Sequence, residues 1–228
     1  MSERYQRLSR QIGYTFRDPK LLEQALTHRS QHHVNNERLE FLGDGLINFV
    51  VAAALYESCP KAEEGGLSRL RASLVREESL ARIARELDLG DLLKLGESEL
   101  KSGGYRRDSI LADALEALVG AVFLDAGYAV AQTVCLKLYA SQLTDLPDPE
   151  TLKDPKTRLQ EWLQKQSRPL PVYEVLSEQG PPHRRIFAVR CQLADGDETT
   201  DASGASRRQA EQRAAEQLLG RLTGNSHA

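Results

Sequence analysis

Cysteine is scarce in this chain of 228 residues: Cys59, Cys135 and Cys191 are odd in number and far apart. That spacing excludes a disulfide framework and a zinc pattern, and leaves the three as small core residues. Histidine is scarce as well, and His28, His32, His33 and His227 show no ligand spacing. No run approaches the length of a membrane-spanning helix, and "MSERYQRLSRQIGYTF" at the N-terminus lacks the apolar region of a signal peptide. A cytoplasmic protein with no membrane partner is the expectation. Internal repeats and low-complexity tracts are absent. So is a strong charge of either sign, since the net charge is −3. The balance is uneven, however. Residues 1–150 carry 18 Lys and Arg against 23 Asp and Glu, whereas residues 151–228 carry 12 against 10. An acidic front and a mildly basic back point to two modules.

The front reads as helical. "RDPKLLEQALTHRS" has Asp18 as N-cap and Pro19 at the first helical position. "NNERLEFLGDGLINFVVAAALYES" can be capped by Asn35 or Asn36. Gly43 and Gly45 inside it cost about 1 kcal/mol each relative to Ala, which calls for close approach by another helix or chain. "GLSRLRASLVREESLARIARELDL" reads as two short helices, "KSGGYRRD" as a flexible basic loop, and "SILADALEALVGAVFLDAGY" and "AVAQTVCLKLYASQL" as further helices. Residues 144–155, rich in Pro and Asp, contain a linker. Beyond it, "KTRLQEWLQKQ" is a helix, "PVYEVLSEQ", "RRIFAVRCQL" and "ETTDASGAS" are strands, and "SRRQAEQRAAEQLLGRL" is a closing helix. The expected fold class is therefore multi-domain, an all-α domain followed by an α+β domain of order α-β-β-β-α.

Two helices carry acids where apolar residues belong. Glu37, Glu40 and Asp44 share one face of the first, and Asp113 and Glu116 are the only charges in "ILADALEALVGAVFL". A lone buried acid is usually a structural hydrogen bond or ion pair. Two helices with the same anomaly reverse that reading, because each unpaired buried acid adds desolvation cost. Packed face to face, the helices would bring Glu40, Asp44, Asp113 and Glu116 together, with something positive between them. Oxygen donors without His or Cys suit Mg²⁺, with Mn²⁺ as substitute, and such a site fits phosphate chemistry. A di-iron bundle would need Glu-x-x-His pairs, which neither helix has.

The second module carries features suited to duplex RNA, which is read by shape through 2′-hydroxyls and phosphates. Thr157, Gln160 and Glu161 lie along one helical face, His183 sits in a Pro-containing turn between two strands, and Arg207 and Arg208 open the last helix.

The segments "NNERLEFLGDGL", "EEGGLSRLRASLVRE", "LKSGGYRRDSILADALEALVGAVFLD" and "DPKTRLQEWLQ" together resemble the ribonuclease III family over nearly the whole chain. The resemblance implies a nuclease domain at 1–143, a linker at 144–153, a double-stranded-RNA-binding domain at 154–223 and a tail at 224–228. It implies a Mg²⁺-dependent endoribonuclease that leaves 5′-phosphate and 3′-hydroxyl ends with a short 3′ overhang, needs no small-molecule cofactor, and processes ribosomal RNA precursors and other structured transcripts. Glu40, Asp44, Asp113 and Glu116 match the family's metal-binding acids, with Asp44 and Glu116 catalytic, and Glu37 and Glu64 match supporting acids near the RNA. Thr157, Gln160, Glu161, His183, Arg207 and Arg208 stand at RNA-binding positions. Phe41 stands where the family's homodimer places an aromatic that enters a socket on the partner, and this accounts for Gly43 and Gly45. Many related domains carry a third cation four residues after Arg207; here Glu211 stands there, and it is expected to weaken the basic patch. A catalytically inactive RNA-binding protein, the alternative, would be marked by loss of an acid at 40, 44, 113 or 116; all four are present.

Overall fold

The computed structural model describes residues 3–181 and 184–224, which fall into two compact units dividing between Pro149 and Glu150. The first unit is helical: α1 (Glu3–Ile12), α2 (Pro19–Ala25), α3 (Glu37–Ser58), α4 (Glu64–Val75), α5 (Glu77–Glu86), α6 (Glu97–Lys101), α7 (Asp108–Ala126), α8 (Tyr128–Leu138) and α9 (Ala140–Thr144). Helix α7 is the hub. Eleven of its residues, from Ile110 to Val122, are buried, and α2, α3, α5 and α8 pack around it. A helix apolar on all sides belongs in the centre of a bundle.

The crossing of α3 and α7 is set by glycine. A methyl group added at Gly43 would lie 1.8 Å from the Glu116 carbonyl oxygen, and one at Gly120 would lie 2.3 Å from that of Leu39. Only two facing glycines let these backbones come so close. A close approach at Gly43 is thus made within the chain, by a facing helix. Gly45 differs: it faces open space, with nothing within 4 Å of the missing methyl.

Several local expectations change in the fold. Helix α2 stops at Ala25 and does not run to residue 30, because Leu26 and His28 exchange backbone hydrogen bonds with Lys94. Asp18 does cap it, accepting from the Lys20 amide at 2.9 Å. On α3 the capping side chain is Asn35, whose Oδ1 accepts from the Glu37 amide at 3.0 Å. "KSGGYRRD" is no flexible loop. Gly104–Arg106 forms a 3₁₀ turn packed on Glu99, and Arg107 pairs with Glu99 at 2.8 Å. Tyr139 divides the last expected helix of this unit into α8 and α9. Helix α3 is, contrary to expectation, long and apolar enough to cross a membrane by length and composition, and a third of that stretch is buried within the chain. Three of its four acids, Glu37, Glu40 and Asp44, lie in the first two turns and Glu57 in the last, which leaves the stretch between them uninterrupted. Cys135 is buried as expected, whereas Cys59 is only half-buried, at the C-cap of α3.

The second unit runs α10 (Pro155–Lys165), β1 (Val172–Gln179), β2 (Ile186–Gln192), β3 (Thr199–Gly204) and α11 (Arg207–Thr223), the α-β-β-β-α order read from the sequence. The sheet is antiparallel in the order β1-β2-β3, with a register shift between Val175 and Ser177. Leu159 and Leu163 of α10 and Ala214, Ala215 and Leu218 of α11 enclose Cys191, Leu193 and Ala202 in one apolar core. His183 and all of the tail beyond Gly224 lie outside the described residues.

Candidate metal centre and nucleic-acid interface

Glu40, Asp113 and Glu116 each offer a carboxylate oxygen, and these atoms lie within 4.8 Å of one another. The glycine-set crossing produces this: Glu40 is one turn before Gly43, and Glu116 is the residue whose carbonyl Gly43 touches. Asp44 is outside the trio. It is exposed, and its Oδ1 accepts from Asn48 Nδ2 at 2.8 Å. Its charge still reaches Glu116.

The electrostatics are those of crowded, desolvated acids. Burial, then the charges of Asp44, Asp113 and Glu40, push the Glu116 carboxyl up to about 8. Burial, then Asp113 and Glu37, raise that of Glu40. Burial, then Glu77, raise that of Asp113. Like charges and lost hydration act together here. An all-oxygen donor set in an apolar surround, with carboxyls that resist ionising together, fits a hard divalent cation.

A cavity of about 540 Å³ opens beside the trio, lined by Glu37, Glu40, Glu99 and Asp113 among acids and His28, Arg29 and Arg107 among bases. Arg29 stands 3.4 Å from Glu37, and its charge lowers the carboxyls of Glu40 and Asp113. This is a positive group of the kind the acid face demanded, and sequence reasoning missed it. The early end of α2 carries His28 and Arg29 into the cleft, and the ordered turn before α7 brings Arg107. Burial lowers the His28 pKa, which favours a neutral imidazole there.

Glu64 is not brought to this cleft. It accepts from Ser68 Oγ at 2.8 Å and lines a separate groove with Tyr56 and Arg71. Phe41 is 83% exposed, and it borders another groove with Leu42, Gly45, Leu46, Phe49, Phe123 and Tyr128.

In the second unit Thr157 and Gln160 are exposed on α10, and Glu161 is half-buried and paired with Lys153 at 2.8 Å. Arg207 and Arg208 form the exposed first turn of α11. Ser206 caps that helix, accepting from the Gln209 amide at 3.2 Å, while Gln209 Oε1 accepts from the Ala205 amide at 2.7 Å. The helix dipole and outward N–H groups add to the arginine charge. Glu211, expected to weaken the basic patch, is turned away from the open face. It is buried, and Lys156 and Arg207 occupy its two oxygens.

The raised Glu116 carboxyl has a measurable consequence. A carboxyl that holds its proton more tightly in the fold than in the unfolded chain stabilises at low pH, and that stability fades as pH rises through the folded value. Without metal, the chain should lose stability between about pH 4.5 and 8. Glu116→Gln should flatten this decline. Thermal melts in chelator are expected to give the variant the higher Tm near pH 8.5, by several degrees, and similar values near pH 4.5. Parallel curves for the two proteins would contradict the assignment.

Comparison with known proteins adds independent findings. Two family descriptions match the chain, Ribonuclease-III-like over residues 18–143 and Double-stranded RNA binding motif over residues 155–222. Ribonuclease 3 of Methylococcus capsulatus is 54% identical over 226 residues, covering 99% of this chain and 98% of the relative. Ribonuclease 3 of Pasteurella multocida is 53% identical over 219 residues, covering 96% and 97%. Among solved structures, a nuclease domain of ribonuclease III from Campylobacter jejuni aligns with TM-score 0.59 and 45% identity, over 61% of this chain and 98% of that one. That structure is described for flexibility in a region involved in dimer formation.

Proposed function

The chain belongs to the ribonuclease III family, and from that premise we infer how it works as an endoribonuclease that hydrolyses phosphodiester bonds in double-stranded RNA. One observation carries the reading. An oxygen-only acid trio is set into an apolar helix pair, in a chain that also holds a double-stranded-RNA binding motif. Residues 1–143 are taken as the nuclease domain, 144–153 as linker, 154–223 as the RNA-binding domain and 224–228 as tail, in a cytoplasmic enzyme of RNA processing, ribosomal precursors included.

Glu40, Asp113 and Glu116 would hold Mg²⁺, or Mn²⁺ in its place, with Asp44 beside them. When bound, such an ion supplies Lewis acidity toward phosphoryl oxygens and makes water a better nucleophile at neutral pH. The chain's own residues do the rest. Arg29 and Arg107 put positive charge on the rim of the acid cleft, where a phosphodiester has to enter. The apolar wall of α7 keeps bulk water from the buried side of Glu116. Glu37 holds Arg29 at the rim, and Glu64 acts near the RNA from its separate groove. The products are 5′-phosphate and 3′-hydroxyl ends with a short 3′ overhang, cut by two sites of a homodimer. Support for the dimer comes from the apolar stripe on α3, where Phe41, Phe49 and Tyr56 are exposed by 83%, 60% and 74% and Gly45 leaves open space between aromatics. Nothing favours an inactive RNA-binding protein, since every acid of the cleft is in place.

Thr157, Gln160, Glu161 and His183 are assigned to the minor groove, and Arg207 and Arg208 to the phosphates between. Replacing both arginines with Ala should weaken binding to all duplex sequences alike, because phosphate contacts carry little sequence information. A salt titration should show log affinity against log salt becoming shallower by about one unit per lost contact. Unchanged affinity across the titration would move phosphate reading elsewhere. The function itself is tested by offering the protein a long RNA duplex and its separated strands in Mg²⁺. Cleavage of the duplex with the strands spared is the expected outcome, and preference for single strands would refute it.

A further inference from the structure

Glu211 is 9% exposed and accepts from two cations, Lys156 Nζ at 2.6 Å and Arg207 Nε at 2.8 Å. Lys156 lies in the first turn of α10 and Arg207 in the first turn of α11, so a single carboxylate ties the two helix starts together. Lys156 is held further by the Tyr173 ring, 4.2 Å from its ammonium. A second carboxylate repeats the pattern. Asp154 caps α10 through the Lys156 amide at 2.9 Å, accepts from Gln212 Nε2 of α11 at 2.5 Å, and stands 3.7 Å from Arg208. The arginines are thus held from behind while their side chains stay 63% and 81% exposed. Burial would raise the Glu211 carboxyl, but the bonds to Lys156 and Arg207 keep it below the ordinary range, so it is charged at neutral pH.

Two effects of this acid on a phosphate ligand oppose each other. Its charge subtracts from the positive face. Its bond to Arg207 fixes a side chain that otherwise loses rotamer freedom on binding. With both oxygens engaged by cations at short range, the charge is largely neutralised locally, and the ordering effect is the larger. We propose that Glu211 is a positioning residue for duplex RNA: braced by Lys156, it aligns Arg207 through Nε and leaves the two Nη groups for a phosphate. The proposal rests on the RNA-binding reading of this domain.

The test is duplex-RNA affinity of the full chain in chelator, where no cleavage intrudes. Glu211→Gln raises the net charge by one, yet affinity should fall by about three- to tenfold, the worth of ordering a long side chain. In an Arg207→Ala background the same substitution should change nothing further, whereas a general loss of fold would weaken binding in both backgrounds. Arg207→Lys keeps the charge and loses the Nε bond, so it should weaken binding comparably; being an exposed change, it carries the test alone if Glu211→Gln does not fold. Tighter or unchanged binding by Glu211→Gln, equal losses in both backgrounds, or full affinity of Arg207→Lys would each overturn the proposal. A parent protein that binds no duplex at all would instead overturn the RNA-binding reading beneath it.

Discussion

Glu116→Gln is expected to reduce cleavage of duplex RNA by about a thousandfold or more while duplex binding survives. Each factor of ten is 1.36 kcal/mol of barrier, and an ion that stabilises phosphoryl charge contributes several kcal/mol. Glutamine keeps the shape of the side chain and removes the charge on which a dication depends. It also mimics the protonated acid that burial and three neighbouring carboxylates favour below about pH 8, so the fold should tolerate it. Duplex binding is assigned to Arg207 and Arg208 in the other unit. Single-turnover cleavage alongside a binding titration checks both halves. Wild-type cleavage by Glu116→Gln in Mg²⁺ would remove Glu116 from the metal site.

Phe41→Ala should split the proposed homodimer without harming the protomer. An aromatic that is 83% exposed in its own chain contributes little to that chain's core. At an interface the same ring can act as an anchor whose truncation costs about 2–4 kcal/mol, or roughly thirty- to a thousandfold in dissociation constant. Sedimentation at micromolar concentration should therefore find monomer, with secondary structure unchanged. A dimer of undiminished affinity would take Phe41 out of the interface.

The sequence made local features legible and left long-range ones hidden. Asp18 and Pro19 announce α2 because caps act within three residues, and the apolar run around Asp113 and Glu116 announces a central helix because its period has no polar face. Gly43 signalled close approach by another helix or chain, but its partner, the Glu116 carbonyl, is more than seventy residues away, so the sequence left the choice between them open. Arg29 was hidden for a similar reason. It enters the cleft only because Lys94 pairs with the chain after Ala25 and ends α2 early. The resemblance grouped Glu64 with the other acids, yet it lines a different groove of the same chain. Glu211 read as a missing cation because its partner Lys156 sits on another helix, and no sequence period links residue 156 to residue 211.

A divalent cation held by Glu40, Asp113 and Glu116 is proposed to drive duplex cleavage. The most direct measurement is to incubate the protein with a long RNA duplex in chelator, then in excess Mg²⁺, and to map both ends of every product. The proposed metal site predicts intact duplex in chelator, cleavage on adding Mg²⁺, and 5′-phosphate and 3′-hydroxyl termini with a short 3′ overhang. Equal cleavage in chelator, or products ending in 3′-phosphate, would contradict it.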